Sequence, residues 1–273
     1  NFGVDFTEWV FVGADLVFEN VYYKENKRIT EKDKNGTFPY LSDYTYSTQL
    51  DVVGHGVGGK FGAIVRPIEY IRLGVALHTP IKYNVSEEYD AFVAANYDQD
   101  ITGNGDYYLK EKYSASTNEY KIAQPAKFVG SLGFVYKNVA NVGVDIETMN
   151  YGSCSMESDM VSMSEQNDLI EEELGKVTNL KCGGEFRYGP FSFRAGYAMY
   201  GNPYKEVSGD NFYRTDFSGG VGLATNMIYC DLAWARAKTK QTNVMYKTLS
   251  GNDVEGKSTI KRDYITLTVG VKF

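Results

Sequence analysis

"YITLTVGVKF", residues 264–273, reads as two interleaved rows. Ile265, Leu267, Val269, Val271 and Phe273 form one, and Tyr264, Thr266, Thr268, Gly270 and Lys272 form the other. A period of two marks a β-strand whose two faces meet different surroundings. The same division recurs upstream. Ile71, Leu73, Val75 and Leu77 oppose Arg72, Gly74, Ala76 and His78. Phe191, Phe193, Ala195, Tyr197 and Met199 oppose Ser192, Arg194, Gly196, Ala198 and Tyr200. Reading this alternation along all 273 residues yields about eleven strands, and nothing resembling a low-complexity linker divides the chain into separate domains.

The connections between those strands sort by length. Short links are expected near residues 7–9, 67–69, 137–140, 188–190 and 224–226. Long polar links are expected over roughly 25–44, 82–118, 152–177, 201–213 and 239–261. Tight turns at one end and long loops at the other describe an all-β, antiparallel up-and-down barrel of the outer-membrane type, apolar outside and polar within. The expected place is therefore the cell outer membrane, with outer-membrane lipids around the wall. An odd number of strands does not match the even count of single-chain bacterial barrels, so residues 1–273 are expected to form one barrel domain that lacks its first strands.

Other classes are poorly supported. The net charge is −7, with a pI near 5.0, so no nucleic-acid partner is expected. No run of about 18 apolar residues predicts a membrane helix. Cys154, Cys182 and Cys230 are odd in number and lack CxxC spacing, which supports neither zinc ligation nor a disulfide framework. Gly54-x-Gly56-x-x-Gly59 formally matches a dinucleotide fingerprint. The residues after it alternate with a period of two instead of opening a helix, so it reads as a strand whose small residues admit a close neighbour. His55 and His78 have no metalloprotease or nucleophile-elbow context, and no cofactor, metal site or enzymatic activity is expected. In "SMSEQNDLIEEELGK", Ser162 and Glu165 form a possible capping box for a short helix that stops at Gly175.

Four segments carry a family likeness: "FGAIVRPIEYIRLGVALHTPIKY" (61–83), "QPAKFVGSLGFVYKNVANVGVDIETMNY" (124–151), "NLKCGGEFRYGPFSFRAGYAMYGNPY" (179–204) and the terminal strand. In their order they resemble the FadL/TodX family of outer-membrane transporters for long-chain fatty acids and other hydrophobic compounds. The resemblance implies a fourteen-stranded barrel with an N-terminal plug, and hence three strands and the plug ahead of residue 1. It also implies passive uptake of a hydrophobic small molecule.

Alternation places Arg66, Arg72, His78, Lys127, Asp145, Glu147, Glu185, Arg187, Arg194 and Asp231 on lumen-facing rows. On the lipid face, Lys or Arg at mid-depth would cost about 2–4 kcal/mol. These groups read first as a neutralised network inside the wall. Arg72, His78, Lys127 and Arg194 are the candidates for contacting a ligand, with Arg72 and Lys127 pairing with a substrate carboxylate. Phe38, Tyr40, Tyr83 and Phe92 are the candidates for capture at the outer mouth. The alternative role for the long loops is to bind a protein partner in a secretion or surface-assembly complex.

Overall fold

The computed structural model describes residues 1–100, 103–205, 212–248, 251 and 253–271. Lys272 and Phe273, the last members of the terminal rows, lie outside the described residues, as do parts of the expected 201–213 and 239–261 links.

The described residues form one antiparallel sheet of fourteen strands. Its early members are β1 (Phe2–Thr7), β2 (Val10–Lys32), β3 (Leu41–Ile68), β4 (Ile71–His78), β5 (Lys82–Tyr97), β6 (Tyr108–Ala123), β7 (Lys127–Tyr136) and β8 (Ala140–Asn150). There follow β9 (Ser155–Glu157), helix α1 (Ser164–Glu173), β10 (Lys176–Tyr188), β11 (Phe191–Gly201), β12 (Phe212–Ala224), β13 (Ile228–Lys247) and β14 (Asp253–Val271). No helix among the described residues is long and apolar enough to cross a membrane.

All five short links fall where expected, and each has a local cause. The Thr7 hydroxyl accepts from the Val10 amide at 3.0 Å, and that of Thr225 accepts from the Ile228 amide at 3.0 Å. Gly189 supplies the left-handed backbone (φ 56°) that lets β10 return as β11.

Three of the long links, those expected over 25–44, 82–118 and 239–261, are shorter than expected. The 82–118 stretch is mostly the β5–β6 hairpin and not a loop. β2, β3, β13 and β14 also run well past the segments that alternate apolar and polar. β4 and β5 are successive parts of one pass against β3, interrupted at Thr79–Ile81, and β6 and β7 are parts of the next, interrupted at Gln124–Ala126. Pro80 and Pro125 sit in these interruptions, where a residue without an amide hydrogen breaks the ladder. The Gln124 amide still donates to the Ile81 carbonyl at 2.8 Å, tying the two breaks together. With each interrupted pair taken as one pass and the three-residue β9 set aside, the described strands make the eleven expected passes.

Register carries the two faces across the whole sheet. Residues directly opposite on neighbouring strands share a face, and the pairs Ile71–Phe134, Phe186–Phe193, Phe193–Val221, Val221–Leu232 and Leu232–Leu267 form one apolar surface. All of these side chains but the half-buried Ile71 are exposed, Leu267 at 65%, as is Val75 of the same face at 66%. A soluble sandwich would bury one such face. Here the buried apolar cluster is small, Ile81, Tyr83 and Val85 with Val52, Tyr120 and Ile122, and lies on the opposite face.

Gly54, Gly56 and Gly58 are the floor of that cluster. A Cβ built on Gly56 would lie 2.7 Å from Ile81 Cγ2 and 2.8 Å from Tyr83 Cδ1. Two of the three fingerprint glycines, Gly54 and Gly56, are thus strand residues that make room for Ile81, Tyr83 and Val85, whereas Gly59 lies on the other face, beside Phe61 and Thr79.

Among the described residues no ladder joins β1 to β14. Helix α1 forms within the 151–175 connection, but the proposed capping box does not. Met163 takes the N-cap position without a side-chain bond, and Ser162 Oγ instead meets the amide of Ser164 at 3.4 Å.

Candidate functional site

The face opposite the apolar surface holds every charged residue that the alternation assigned to the lumen. One row reads Gly133–Gly143–Gly183–Gly196–Ser218–Ala235 from β7 to β13, with Arg72 at one end and Tyr264 at the other. Small residues there keep the inner wall low. The charges stand on either side of it in two clusters.

Nearer the short turns, Arg194 on β11 bridges Glu185 and Asp231, with Nε to Oε2 and Nη1 to Oδ1 both at 2.5 Å. Arg187 also pairs with Glu185. Nearer the long connections, Glu147 is buried and accepts from Lys181 at 2.8 Å and from Asn179 Nδ2 at 3.4 Å, while Lys127 Nζ lies 3.7 Å away. Glu185 and Glu147 each face more than one cation or amide donor, and Asp231 shares Arg194 with Glu185, so both clusters act first as struts between neighbouring strands.

Arg72 is placed differently. Its Nη1 is buried and has no hydrogen-bond partner among the described residues, which leaves a cationic donor unsatisfied. It lines a cavity of about 550 Å³ with Phe11, Asp15, Lys60, Ile64, His78 and Asp145, floored by Gly13, Gly62, Gly74 and Gly143. His78 is opposite Lys60 on one side and Lys127 on the other. The structure therefore brings Arg72 and His78 to one cavity, sets Lys127 next to His78 but committed to Glu147, and leaves Arg194 in the separate strut cluster. Asp15 and Lys60 complete the cavity. The β2 alternation of Phe11, Gly13, Asp15, Val17 and Glu19 against Val12, Ala14, Leu16 and Phe18 was the available signal for Asp15.

The mouth residues separate as well. Phe38 and Tyr40 are exposed, at 63% and 55%, on the 33–40 connection. Phe92 is half-buried on β5, with the Lys110 and Lys112 ammonium groups 5.4 and 5.7 Å from its ring centre. Tyr83 is 4% exposed; its hydroxyl donates to Glu19 at 2.5 Å and lies 3.2 Å from Gln124 Oε1. Burial, followed by the bond to Glu19, pushes its phenol up to about 12. Tyr83 thus ties β5 to β2 across the top of β3.

These features define a class: an up-and-down barrel wall of the outer-membrane type, apolar outside and polar or small within. Its fold is that of FadL/TodX-type barrels. The chain is similar to a Pseudomonas aeruginosa FadL homologue (TM-score 0.65, 17% identity), covering 98% of this chain and 65% of that one. It is also similar to the CymD monoaromatic hydrocarbon channel (0.54, 16%; 99% and 71%) and to the Pseudomonas putida toluene transporter TodX (0.54, 12%; 99% and 67%). The chain therefore spans less than two thirds of the FadL homologue. No protein-family model and no curated protein matches the sequence.

Proposed function

We propose that this chain forms most of the wall of an outer-membrane channel through which hydrophobic small molecules enter passively, long-chain fatty acids being the class its cavity suits. The observation that carries this reading is the cavity beside Arg72. It combines apolar walls from Phe11 and Ile64 with a guanidinium nitrogen that lacks a partner among the described residues, the pairing that a carboxylate on a greasy tail would satisfy. The names of the CymD and TodX channels, which refer to aromatic hydrocarbons, support a hydrophobic cargo without selecting its head group.

In the proposed sequence, Phe38, Tyr40 and Phe92 collect ligand at the outer mouth, Tyr83 is a fixed part of that rim, and the Arg72 cavity is the inner stop. His78 and Lys127 add positive potential beside it, while Arg194 holds the wall. The proposal includes strands paired to the outer edges of β1 and β14, as the family resemblance implies, because an open edge in hydrocarbon leaves backbone groups unsatisfied. A radiolabelled long-chain fatty acid titrated onto detergent-purified protein tests it. Saturable binding that weakens about tenfold in Arg72→Gln is expected, the worth of a single charge-assisted hydrogen bond. Absence of saturable binding, or binding indifferent to Arg72→Gln, would overturn the assignment.

A further inference from the structure

The outward face of the β3–β5–β6 extension carries a second site. His55, Asn84, Lys121 and Glu157 stand side by side on β3, β5, β6 and β9, each directly opposite the next. Their register parity is that of Phe61 and Val57 and opposite to that of Gly56, so they point away from the lumen. Strand β5 and the residue before it make the division plain: Ile81, Tyr83 and Val85 are buried inward, while Lys82, Asn84 and Ser86 are exposed outward.

Height places this row at the edge of the apolar surface. From Ile68 to Val57 the chain climbs about 28 Å, taking a rise near 3.3 Å per residue and a tilt near 40°. The outward apolar band of such barrels is about 25 Å tall. His55 is the next outward residue, at the level where hydrocarbon gives way to head groups.

The row lines a groove of about 500 Å³. One wall is the Ser158–Met160 segment, held by Ser158 Oγ donating to the Glu119 carbonyl at 3.2 Å and by the Lys82–Glu157 pair at 3.4 Å. It is lined by both donors (Lys121, Asn84) and acceptors (Glu119, Glu157, Asp159), with Val53 and Met160 supplying apolar patches. An acyl chain would satisfy none of the polar groups, and a phosphate would meet carboxylates on two sides. A sugar presents hydroxyls that both donate and accept, together with an apolar C–H face.

We propose that this groove binds the neutral sugar head group of a glycolipid in the surrounding outer leaflet. The inference rests on the reading that the apolar band faces lipid, and it is independent of the lumen cavity. The test uses the full chain in phosphatidylethanolamine nanodiscs doped with digalactosyl diacylglycerol, with co-purifying lipid read by native mass spectrometry. Wild type should retain the galactolipid about tenfold over phosphatidylethanolamine, and the Asn84→Ala/Lys121→Ala variant should fall to parity. Undiminished retention by the variant would overturn the site, and soluble galactobiose bound as tightly as the lipid would overturn the glycolipid source. Fatty-acid binding by the same preparations reports separately on the lumen and should not change in the variant. Failure to enter nanodiscs would overturn the bilayer reading and this proposal together.

Discussion

Replacing Gly56 with alanine adds a single methyl group to β3, and the structure specifies where that methyl goes. It would lie 2.7 Å from Ile81 Cγ2 and 2.8 Å from Tyr83 Cδ1, both closer than a real Cβ contact, and 3.0 Å from the Lys82 carbonyl, tighter than most. Ile81 and Tyr83 have little freedom to move: they are 8% and 4% exposed, and Tyr83 is anchored to Glu19. Overpacking of this kind costs about 1–3 kcal/mol. Gly143→Ala, on the same inner face of β8, meets nothing within 4 Å and should gain up to about 1 kcal/mol from the strand-interior entropy that glycine forfeits. The two variants should therefore move urea midpoints, measured for protein refolded into phospholipid vesicles, in opposite directions. Hydrogen exchange should quicken in β5 for Gly56→Ala alone. Equal midpoints for the two variants would refute the glycine-floor argument.

Leu232 stands four residues from the start of β13, about 10 Å up a tilted strand and so near the middle of the apolar band, between Val221 and Leu267. Leu232→Arg should cost about 2–4 kcal/mol in vesicle unfolding, whereas Ala233→Arg, facing the lumen, should cost less than about 1 kcal/mol. Arg194→Leu leaves Asp231 without its cation and Glu185 with Arg187 alone; because the Arg194 side chain is 44% exposed, the loss should be about 1 kcal/mol and should shrink in high salt. Tyr83 and Tyr120 are both pushed to about 12, first by burial and then by their bonds to Glu19 and Glu87. Their contribution to stability should be complete below the unfolded tyrosine value near 10 and lost as pH rises through about 12. Ultraviolet titration should show late-ionising phenols that diminish in Tyr120→Phe, and uniform ionisation near 10 would contradict this.

The terminal strand, β4 and β11 were legible because each crosses between two media, which forces a period of two on the sequence. The turn at Gly189 was legible because its backbone conformation selects glycine. The β5–β6 hairpin was not. Most of its length stands above the apolar band, where both faces tolerate Glu87, Glu88, Asp90, Lys110 and Lys112, and Pro80 and Pro125 make it look detached from β4 and β7. Its inner row of Ile81, Tyr83 and Val85 did alternate, but three residues are a faint signal. The faces of Arg72, Lys127 and Arg194 could be read from alternation alone. Their partners could not, since Lys127 meets Glu147 only through the register of β7 against β8, and nothing local reveals that Arg72 Nη1 would be left without one.

The central claim is that one face of this sheet meets lipid and the other meets water. Nitroxides placed singly at residues 228–235 of vesicle-inserted protein, with Cys154, Cys182 and Cys230 otherwise replaced by serine, test it most directly. Oxygen, concentrated in the bilayer, should relax labels at 228, 230, 232 and 234, and a water-soluble nickel chelate should relax those at 229, 231, 233 and 235. Labels that respond without alternation, or a protein that stays dispersed in buffer with no detergent or bilayer, would contradict it.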